Sequence, residues 1–319
     1  MSGERESRAD AQITSSVLMI RPARFRSNPE TAGTNAFQHP GDERDVLARA
    51  QREFDGLVAV LRAHGVDVHV ASDTPEPEKP DAVFPNNWVS FHDDGTVVLY
   101  PLLAENRRHE VRLDLVSELE RDGRFARRRV VDLRSSAKRR AFLEGTGSLV
   151  LDRATRQAFA CLSPRTSPAL LERFCRELDY RPFAFHARDA RGVPVYHTNV
   201  LLSIGERVAV ACLEAVEPAD ERAELARRLT ESGRELVAID RAQMAAFAGN
   251  VLQLRARDGA RLVVLSARAR DAFTAEQRRQ LERHGTLVAS DLDAIERHGG
   301  GSARCMIAEV FGGAETRNA

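Results

Sequence analysis

Five polar residues recur at nearly equal intervals along the chain, and covalent catalysis uses side chains of these types. They are Asn87, Glu144, His197, Asn250 and Cys305, separated by 57, 53, 53 and 55 residues. If the chain repeats one structural unit, equivalent positions of the units can face a common axis. A thiol, an imidazole, a carboxylate and two amides would then meet there, which is a set suited to nucleophilic catalysis.

Cys305 has the sequence context of an exposed nucleophile. It follows GGGSAR, whose glycines let the backbone turn tightly and approach a ligand closely. Cys161, Cys175 and Cys212 lack such a context and are predicted to be small buried hydrophobic residues. The four cysteines contain no CxxC pair, which argues against a disulfide framework or a zinc site.

The other candidates also have structural interpretations. Strand alternation would place His197 and Asn199 on one face, for proton transfer and substrate clamping, and the alternative is a hydrogen-bonded core histidine. Glu144 stands among apolar and small residues, where a structural ion pair with an arginine competes with a catalytic role. Asn87 and Asn250 could equally be turn residues.

The elements that would position these residues recur in a fixed order. Hairpins such as VFPNNWVSFHDDGTVVLYP, with Asp94 and Gly95 at the turn, alternate with helices, such as residues 107–120, and single strands. Five helix-then-strand units predict the α/β class. The last strand, ARCMIAEVF, can pair with the first, SVLMIRP, and close a ring. The sequence therefore predicts a single-domain, five-bladed α/β propeller, with an ordinary mixed α/β sheet as the alternative.

Composition and charge are those of a soluble globular protein. Of the 319 residues, 43% are hydrophobic and 29% charged, and 47 basic residues balance 47 acidic ones. Neither a nucleic acid nor a membrane is therefore a predicted partner.

The first residues do not resemble a signal peptide, which predicts a cytoplasmic location. We predict disordered tails over 1–14 and 313–319 and a catalytic domain over 15–312. No cofactor and no metal are predicted, and a homo-oligomer is left open.

The motifs around these residues resemble those of the guanidine-modifying (pentein) superfamily, which includes arginine deiminases, dimethylarginine dimethylaminohydrolases and amidinotransferases. GGGSARC is similar to its nucleophile motif, HTN to its His-x-Asp strand, EGTG to its Glu-Gly-Gly-Asp strand and FPNN to a strand with a substrate-binding Asp. The resemblance extends from about Val17 to Phe311 and implies a five-bladed propeller.

The same resemblance implies Cys305 as nucleophile, His197 as acid/base and Glu144 as the catalytic carboxylate. Residue propensity does not decide whether Asn86 or Asn87 of the FPNN motif faces the site. The predicted substrate-binding residues are Asn86, Asn87, Asn199, Asn250, Arg107 and Arg165, and the two arginines are similar to those that hold the substrate α-carboxylate in dimethylaminohydrolases.

Within the superfamily, FPNNW, YHTN and GGGSARCMIAEVF look like the citrulline-utilisation hydrolases. Asn87 and Asn199 stand where deiminases use Asp, and Gly147 replaces the last Asp of Glu-Gly-Gly-Asp. Amides match a neutral ureido group, which offers both N–H and C=O, better than they match a guanidinium. The expected reaction is hydrolysis of citrulline to ornithine, carbon dioxide and ammonia through a thioester on Cys305, and the expected partner is this small amino acid.

Other functions compete with this interpretation. The same chemistry could act on arginine or dimethylarginine and leave citrulline, and an amidinotransferase would use an acceptor amine. A papain-like Cys-His-Asn protease is disfavoured, because its nucleophile lies near the mature N-terminus. A non-catalytic binding protein that retained the pocket is a further alternative.

Overall fold

The computed structural model describes residues 11–39 and 45–312 and shows an α/β fold with five three-stranded sheets. The strands are β1 Ser16–Arg21, β2 Asp67–Ser72, β3 Val89–Phe91, β4 Thr96–Leu99, β5 Arg129–Asp132, β6 Val150–Asp152, β7 Gln157–Cys161, β8 Arg181–Phe185, β9 Leu202–Ile204, β10 Val208–Ala211, β11 Glu235–Ala238, β12 Leu252–Arg255, β13 Arg261–Ser266, β14 Thr286–Ser290 and β15 Ala308–Val310. The sheet orders are β15-β1-β2, β3-β4-β5, β6-β7-β8, β9-β10-β11 and β12-β13-β14.

Helices connect the middle strand of each sheet to its parallel neighbour, as a parallel pair requires. The helices are α1 Pro29–Ala32, α2 Val46–Ala63, α3 Leu113–Arg121, α4 Gly145–Ser148, α5 Pro168–Leu178, α6 Ala219–Glu231, α7 Arg241–Ala245, α8 Ala267–Ala272, α9 Ala275–Glu282 and α10 Asp293–Gly299. The longest, α2, buries Phe54, Leu57 and Leu61 against the sheets. Within the described ranges, none of these helices has the length and apolar character to cross a membrane.

The second sheet illustrates the repeated unit. β3 and β4 pair antiparallel, with Val89 opposite Leu99, and β5 continues parallel to β4. The predicted turn is present: Gly95 has a φ of +84°, and the Asp94 side chain accepts a hydrogen bond from the Thr96 backbone at 2.8 Å. A left-handed φ favours glycine, because a side chain there is strained.

The first sheet joins the two ends of the chain. β15 pairs antiparallel with β1, with Ser16 opposite Val310, and β2 completes the sheet on the other side. The predicted pairing of the last strand with the first is confirmed. We call β3, β6, β9, β12 and β15 the leading strands; β15 contacts β3, and β9 contacts both β6 and β12.

The helix predicted over residues 107–120 is wrong at its start. A 3-10 helix spans Asn106–Glu110, and α3 begins only at Leu113. Side chains three apart in a 3-10 helix lie one above the other, and here Arg107 and Glu110 form a buried ion pair at 2.8 Å. The segment turns these charges inward, which an amphipathic surface helix would not do.

Residues 11–14 are ordered, although the sequence assigns them to a disordered tail. Gln12 donates hydrogen bonds to the carbonyls of Leu151 and Ile204 at 3.0 and 3.1 Å and accepts one from the Arg153 backbone at 2.8 Å. Thr14 donates to the carbonyl of Val310. The segment therefore ties together residues of three sheets. Residues 1–10 and the predicted tail 313–319 lie outside the described residues.

We expect Gln12→Ala to lower the free energy of unfolding by about 2 kcal/mol, because it leaves buried backbone groups without partners. Urea denaturation measures this change. Gln280→Ala, a half-buried position on α9, is the matched control and should shift stability by less than about 0.5 kcal/mol. Equal stability of the two variants would contradict an ordered role for residues 11–14.

Candidate functional site

The five evenly spaced residues lie in short turns before the leading strands. Asn87 ends the 3-10 turn before β3, and Glu144 and His197 each immediately precede a helical turn before β6 and β9. Cys305 lies within the 3-10 turn Ala303–Met306 before β15, and Asn250 stands just before β12. The even spacing of these five residues thus corresponds to equivalent places in the five sheets.

Cys305 lies beside the glycine run noted in the sequence. α10 ends at Gly299, and Gly300 follows with a left-handed φ of +65°. A Cβ added to Gly301 would lie 3.0 Å from the Phe84 ring and 3.2 Å from the Cβ of Cys305, so the loop passes close to the thiol. Cys305 is only 3% exposed, and burial raises the pKa of its thiol. The thiol of the free protein is therefore protonated at neutral pH.

Two amides contact the sulfur. The Nδ2 atoms of Asn250 and Asn199 lie 3.2 and 3.4 Å from the Cys305 Sγ. The sequence predicts that His197 shares a strand face with Asn199, but residues 198–200 form a 3-10 turn, which has no two-residue alternation. The two side chains therefore reach different partners.

His197 pairs with Glu144, its Nε2 lying 2.8 Å from Oε2. Burial lowers the pKa of His197 to about 4, although the neighbouring carboxylate opposes this shift. Burial alone would raise the pKa of Glu144, but Arg165 and His197 outweigh it and hold that pKa well below its usual range. At neutral pH the carboxylate is therefore ionised and the imidazole neutral. Because a carboxylate only accepts, the imidazole proton sits on Nε2 and the Nδ1 lone pair is free for proton transfer.

Both predicted arginines lie beside this pair. Arg165 Nη1 is 3.3 Å and Arg107 Nη1 is 3.6 Å from Glu144 Oε2. Arg107 also forms a two-pronged pair with Glu110, at 2.8 and 3.0 Å, and donates to the Asn87 Oδ1 at 3.0 Å. Burial raises the pKa of Glu110 to about 7 against the effect of Arg107. Glu110 was not predicted, and its spacing from Arg107 was the available signal.

A small cavity joins these groups. Cys305 and His197 both line it, so sulfur and imidazole face one site, as the proposed chemistry requires. The lining residues are Thr31, Asn35, Asp81, Phe84, Asn87, Arg107, Arg165, Tyr196, His197, residues 299–301 and Cys305.

Asp81 is a lining residue that sequence reasoning missed. It is 2% exposed, and its Oδ2 accepts a hydrogen bond from Asn28 at 2.7 Å. Its Oδ1 is buried and has no hydrogen-bond partner among the described residues. A buried carboxylate oxygen without a donor can accept a cationic group. Its place at the start of DAVFPNN, just before a candidate motif, was the signal.

The predicted substrate-binding residues do not all line the cavity. Asn87 lines the cavity, whereas Asn86 does not; the Asn86 side chain is fully buried and has no hydrogen-bond partner in the described ranges. Asn199 and Asn250 lie behind the lining and contact the sulfur instead. In residues 11–39 and 45–312 there is no group of three His, Cys, Asp or Glu side chains placed to hold a metal ion.

Gly147 stands between two site residues. A Cβ there would lie 2.5 Å from the Asn87 Nδ2 and 2.7 Å from the His197 Nδ1. Both distances are far below ordinary contact, so the present arrangement leaves no room for the carboxylate that the family pattern has at this position.

Comparison with protein families gives one match over most of the chain. Residues 21–312 match the model of the family described as N,N dimethylarginine dimethylhydrolase, eukaryotic. A search of curated proteins found no match.

Solved structures show the same fold at low sequence identity. The N-terminal domain of ArgZ bound to substrate, an arginine dihydrolase from the ornithine-ammonia cycle in cyanobacteria, is 16% identical, with a TM-score of 0.72 over 93% of this chain and 98% of that one. AgrE in a ternary complex with ornithine and NAD⁺ is 20% identical, with a TM-score of 0.68 over 92% of this chain and 39% of AgrE. A dimethylarginine dimethylaminohydrolase adduct with S-methyl-L-thiocitrulline is 14% identical, with a TM-score of 0.62 over 93% and 99% of the two chains.

Proposed function

The chain belongs to the N,N dimethylarginine dimethylhydrolase family, within the guanidine-modifying pentein superfamily, and from this premise we propose that it hydrolyses the ureido group of citrulline. The products are ornithine, carbon dioxide and ammonia. Cys305 is the nucleophile, His197 the acid/base and Glu144 the carboxylate that orients His197.

The observation that carries this proposal is the neutrality of the groups around the sulfur. Asn199 and Asn250 contact it, and Asn87 lines the cavity with an Nδ2 that has no partner among the described residues. Gly147 leaves no space for a further carboxylate, and Glu144 already pairs with two arginines. Next to the sulfur the amides offer a guanidinium no counter-ion, whereas the oxygen of a neutral ureido group can accept a hydrogen bond from Asn87.

The reaction proceeds in two steps through His197. Cys305 gives up its thiol proton, which His197 accepts once the substrate is bound, and the thiolate attacks the ureido carbon. The bond from that carbon to the ornithine nitrogen breaks, and His197 returns the proton to the departing amine. Water, deprotonated by His197, then attacks the carbamoyl thioester, and Cys305 leaves as the thiolate and takes that proton back from His197. The released carbamate decomposes to ammonia and carbon dioxide, so one water is consumed for each citrulline.

The cavity also offers groups for the zwitterionic part of an amino acid. Arg165 and Arg107 offer guanidinium groups to the α-carboxylate, and the free Oδ1 of Asp81 accepts from the α-ammonium. Arg165 Nη2 donates a 2.8 Å hydrogen bond to the Thr34 hydroxyl oxygen, which holds this guanidinium in place.

The repeated geometry supports a five-bladed propeller around this site. The five sheets share one strand pattern, the first is completed by the last strand, and the described contacts between leading strands run from sheet to neighbouring sheet. In this arrangement the turns before the leading strands face a common axis. We retain the cytoplasmic location as a prediction.

A substrate panel tests the proposal. The purified protein is incubated with citrulline, arginine or dimethylarginine, and ornithine and citrulline are measured in each case. We expect ornithine from citrulline. Formation of citrulline from arginine or dimethylarginine, with no ornithine from citrulline, would overturn the ureido assignment. An amidinotransferase would need an added acceptor amine.

Hydrolysis of a guanidino substrate is the second candidate, and the charge balance favours it. Three carboxylates, Asp81, Glu110 and Glu144, stand around two arginines, Arg107 and Arg165. When Glu110, whose pKa is raised to about 7, is ionised, these groups carry one net negative charge, which attracts a cationic substrate more strongly than a neutral zwitterion. The same panel decides between the two candidates.

Replacing Gly147 with alanine should lower kcat for the preferred substrate about 100-fold, because small displacements of reacting groups have effects of this size. The new methyl group must push aside Asn87 and His197. The control is Gly56→Ala in α2, where the added Cβ lies 3.8 Å from Ser290 Oγ. An unchanged kcat in the Gly147 variant would show that these two side chains are not held by close packing.

A further inference from the structure

The amide of Asn250 is oriented by a second hydrogen bond. Its Nδ2 donates to the backbone carbonyl of Asn199 at 2.9 Å and lies 3.2 Å from the Cys305 Sγ. A backbone carbonyl only accepts, so the nitrogen of this amide, not its oxygen, must occupy the position next to the sulfur. Its two N–H groups are thereby directed at these two acceptors.

Asn199 supplies a second donor from the neighbouring sheet. Its Nδ2 lies 3.4 Å from the sulfur, closer than its own Oδ1 at 3.8 Å. Both asparagines are fully buried. They approach Cys305 from the turns before β9 and β12, so the packing of two sheets sets the position of the donors.

The charged and titratable groups around Cys305 have other partners. Tyr196 donates its hydroxyl to the carbonyl of Gly300, and His197 donates to Glu144. Arg304 pairs with Glu309 at 3.1 Å. In the part of the chain that the structure describes, none of these three side chains is within hydrogen-bond distance of the sulfur.

We infer that Asn199 and Asn250 form a donor pair that holds the Cys305 thiolate, and not the substrate clamp that the sequence suggested. A thiolate formed at a buried site loses its hydration, and N–H···S⁻ hydrogen bonds from fixed amides replace it. The inference rests on the proposed function in taking Cys305 as the nucleophile. It assigns the stabilisation of the thiolate to neutral dipoles instead of a cysteine–histidine ion pair.

Titration of the thiol in the free protein tests the donor pair without any substrate. The rate of alkylation by iodoacetamide is measured against pH and assigned to Cys305 by mass spectrometry of its peptide. We expect Asn250→Ala and Asn199→Ala each to raise the apparent pKa of this thiol by about one unit, as the loss of one charge-assisted hydrogen bond predicts. Asn87→Ala makes the same chemical change at an amide that accepts from Arg107 and has no hydrogen bond to the sulfur among the described residues, and it should leave this pKa unchanged.

An unchanged thiol pKa in both asparagine variants, or an equal rise in Asn87→Ala, would overturn the donor pair. If Asn250→Ala does not fold, as judged by circular dichroism, Asn250→Ser and Asn199→Ala decide the question, with a rise in either supporting the inference. Lack of activity on citrulline would refute the proposed substrate but leave the thiol titration, and therefore this inference, unaffected.

Discussion

We expect the Cys305→Ser variant to lose ornithine release from citrulline by at least about 10⁴-fold, because loss of a catalytic nucleophile has effects of this order. Serine keeps the shape of the side chain, but its hydroxyl is a much weaker nucleophile. Steady-state ornithine assays measure the loss. Circular dichroism should show an unchanged fold, since Cys305 and serine differ by one atom.

Covalent labelling gives an independent measure of the same prediction. A haloacetamidine probe should add to Cys305 in the native protein and leave the serine variant unlabelled at that peptide. Cys175→Ser is the matched control, because Cys175 is a buried residue of α5 that packs in the core. It should retain labelling and kcat. Ornithine release by Cys305→Ser at the native rate would exclude the thioester mechanism.

The Glu144→Gln variant should lose both activity and stability. An amide at this position no longer fixes the His197 tautomer, and the comparable change in a serine protease lowers kcat about 10⁴-fold. It also leaves Arg165 and Arg107 without the carboxylate that lies 3.3 and 3.6 Å away. Breaking a buried pair by removing one partner costs about 3–5 kcal/mol. Activity assays and urea denaturation measure the two losses.

The pH dependence distinguishes this charge effect from a packing defect. Because the folded protein lowers the pKa of Glu144 below its ordinary value of 4.5, its ionised form stabilises the folded state above that pH. The stability difference between native protein and variant should therefore be constant near neutral pH and shrink as the pH falls below about 4.5. A difference that does not depend on pH would point to packing alone. Glu172→Gln, on the exposed face of α5, should change stability by less than about 0.5 kcal/mol.

The predictable part of the fold came from local signals. The Asp94-Gly95 turn and the alternation of hairpins and helices are properties of short segments, so the residues of each segment are enough to predict them. The pairing of β15 with β1 was also predictable, because five similar units leave one unpaired strand at each end of the chain. The start of α3 could not be predicted from its own residues. The segment before it turns inward because Arg107 and Glu110 form an ion pair, and this pair is buried only by the surrounding sheets.

The candidate site divides in the same way. Even spacing identified Asn87, Glu144, His197, Asn250 and Cys305, because repeated units place equivalent residues in equivalent turns. The intervals along the chain thus predicted five residues that occupy equivalent turns. Their partners were decided by tertiary structure.

His197 and Asn199 are two residues apart, yet one binds Glu144 and the other lies against the sulfur of Cys305. Asp81 and Glu110 entered the site without a motif, through burial beside Arg107. The residue types and the intervals between them are properties of the amino-acid sequence, and they constrain which chemistry can occur. Distances, protonation states and burial arise from contacts between residues far apart in sequence, which exist only once the five sheets have packed together.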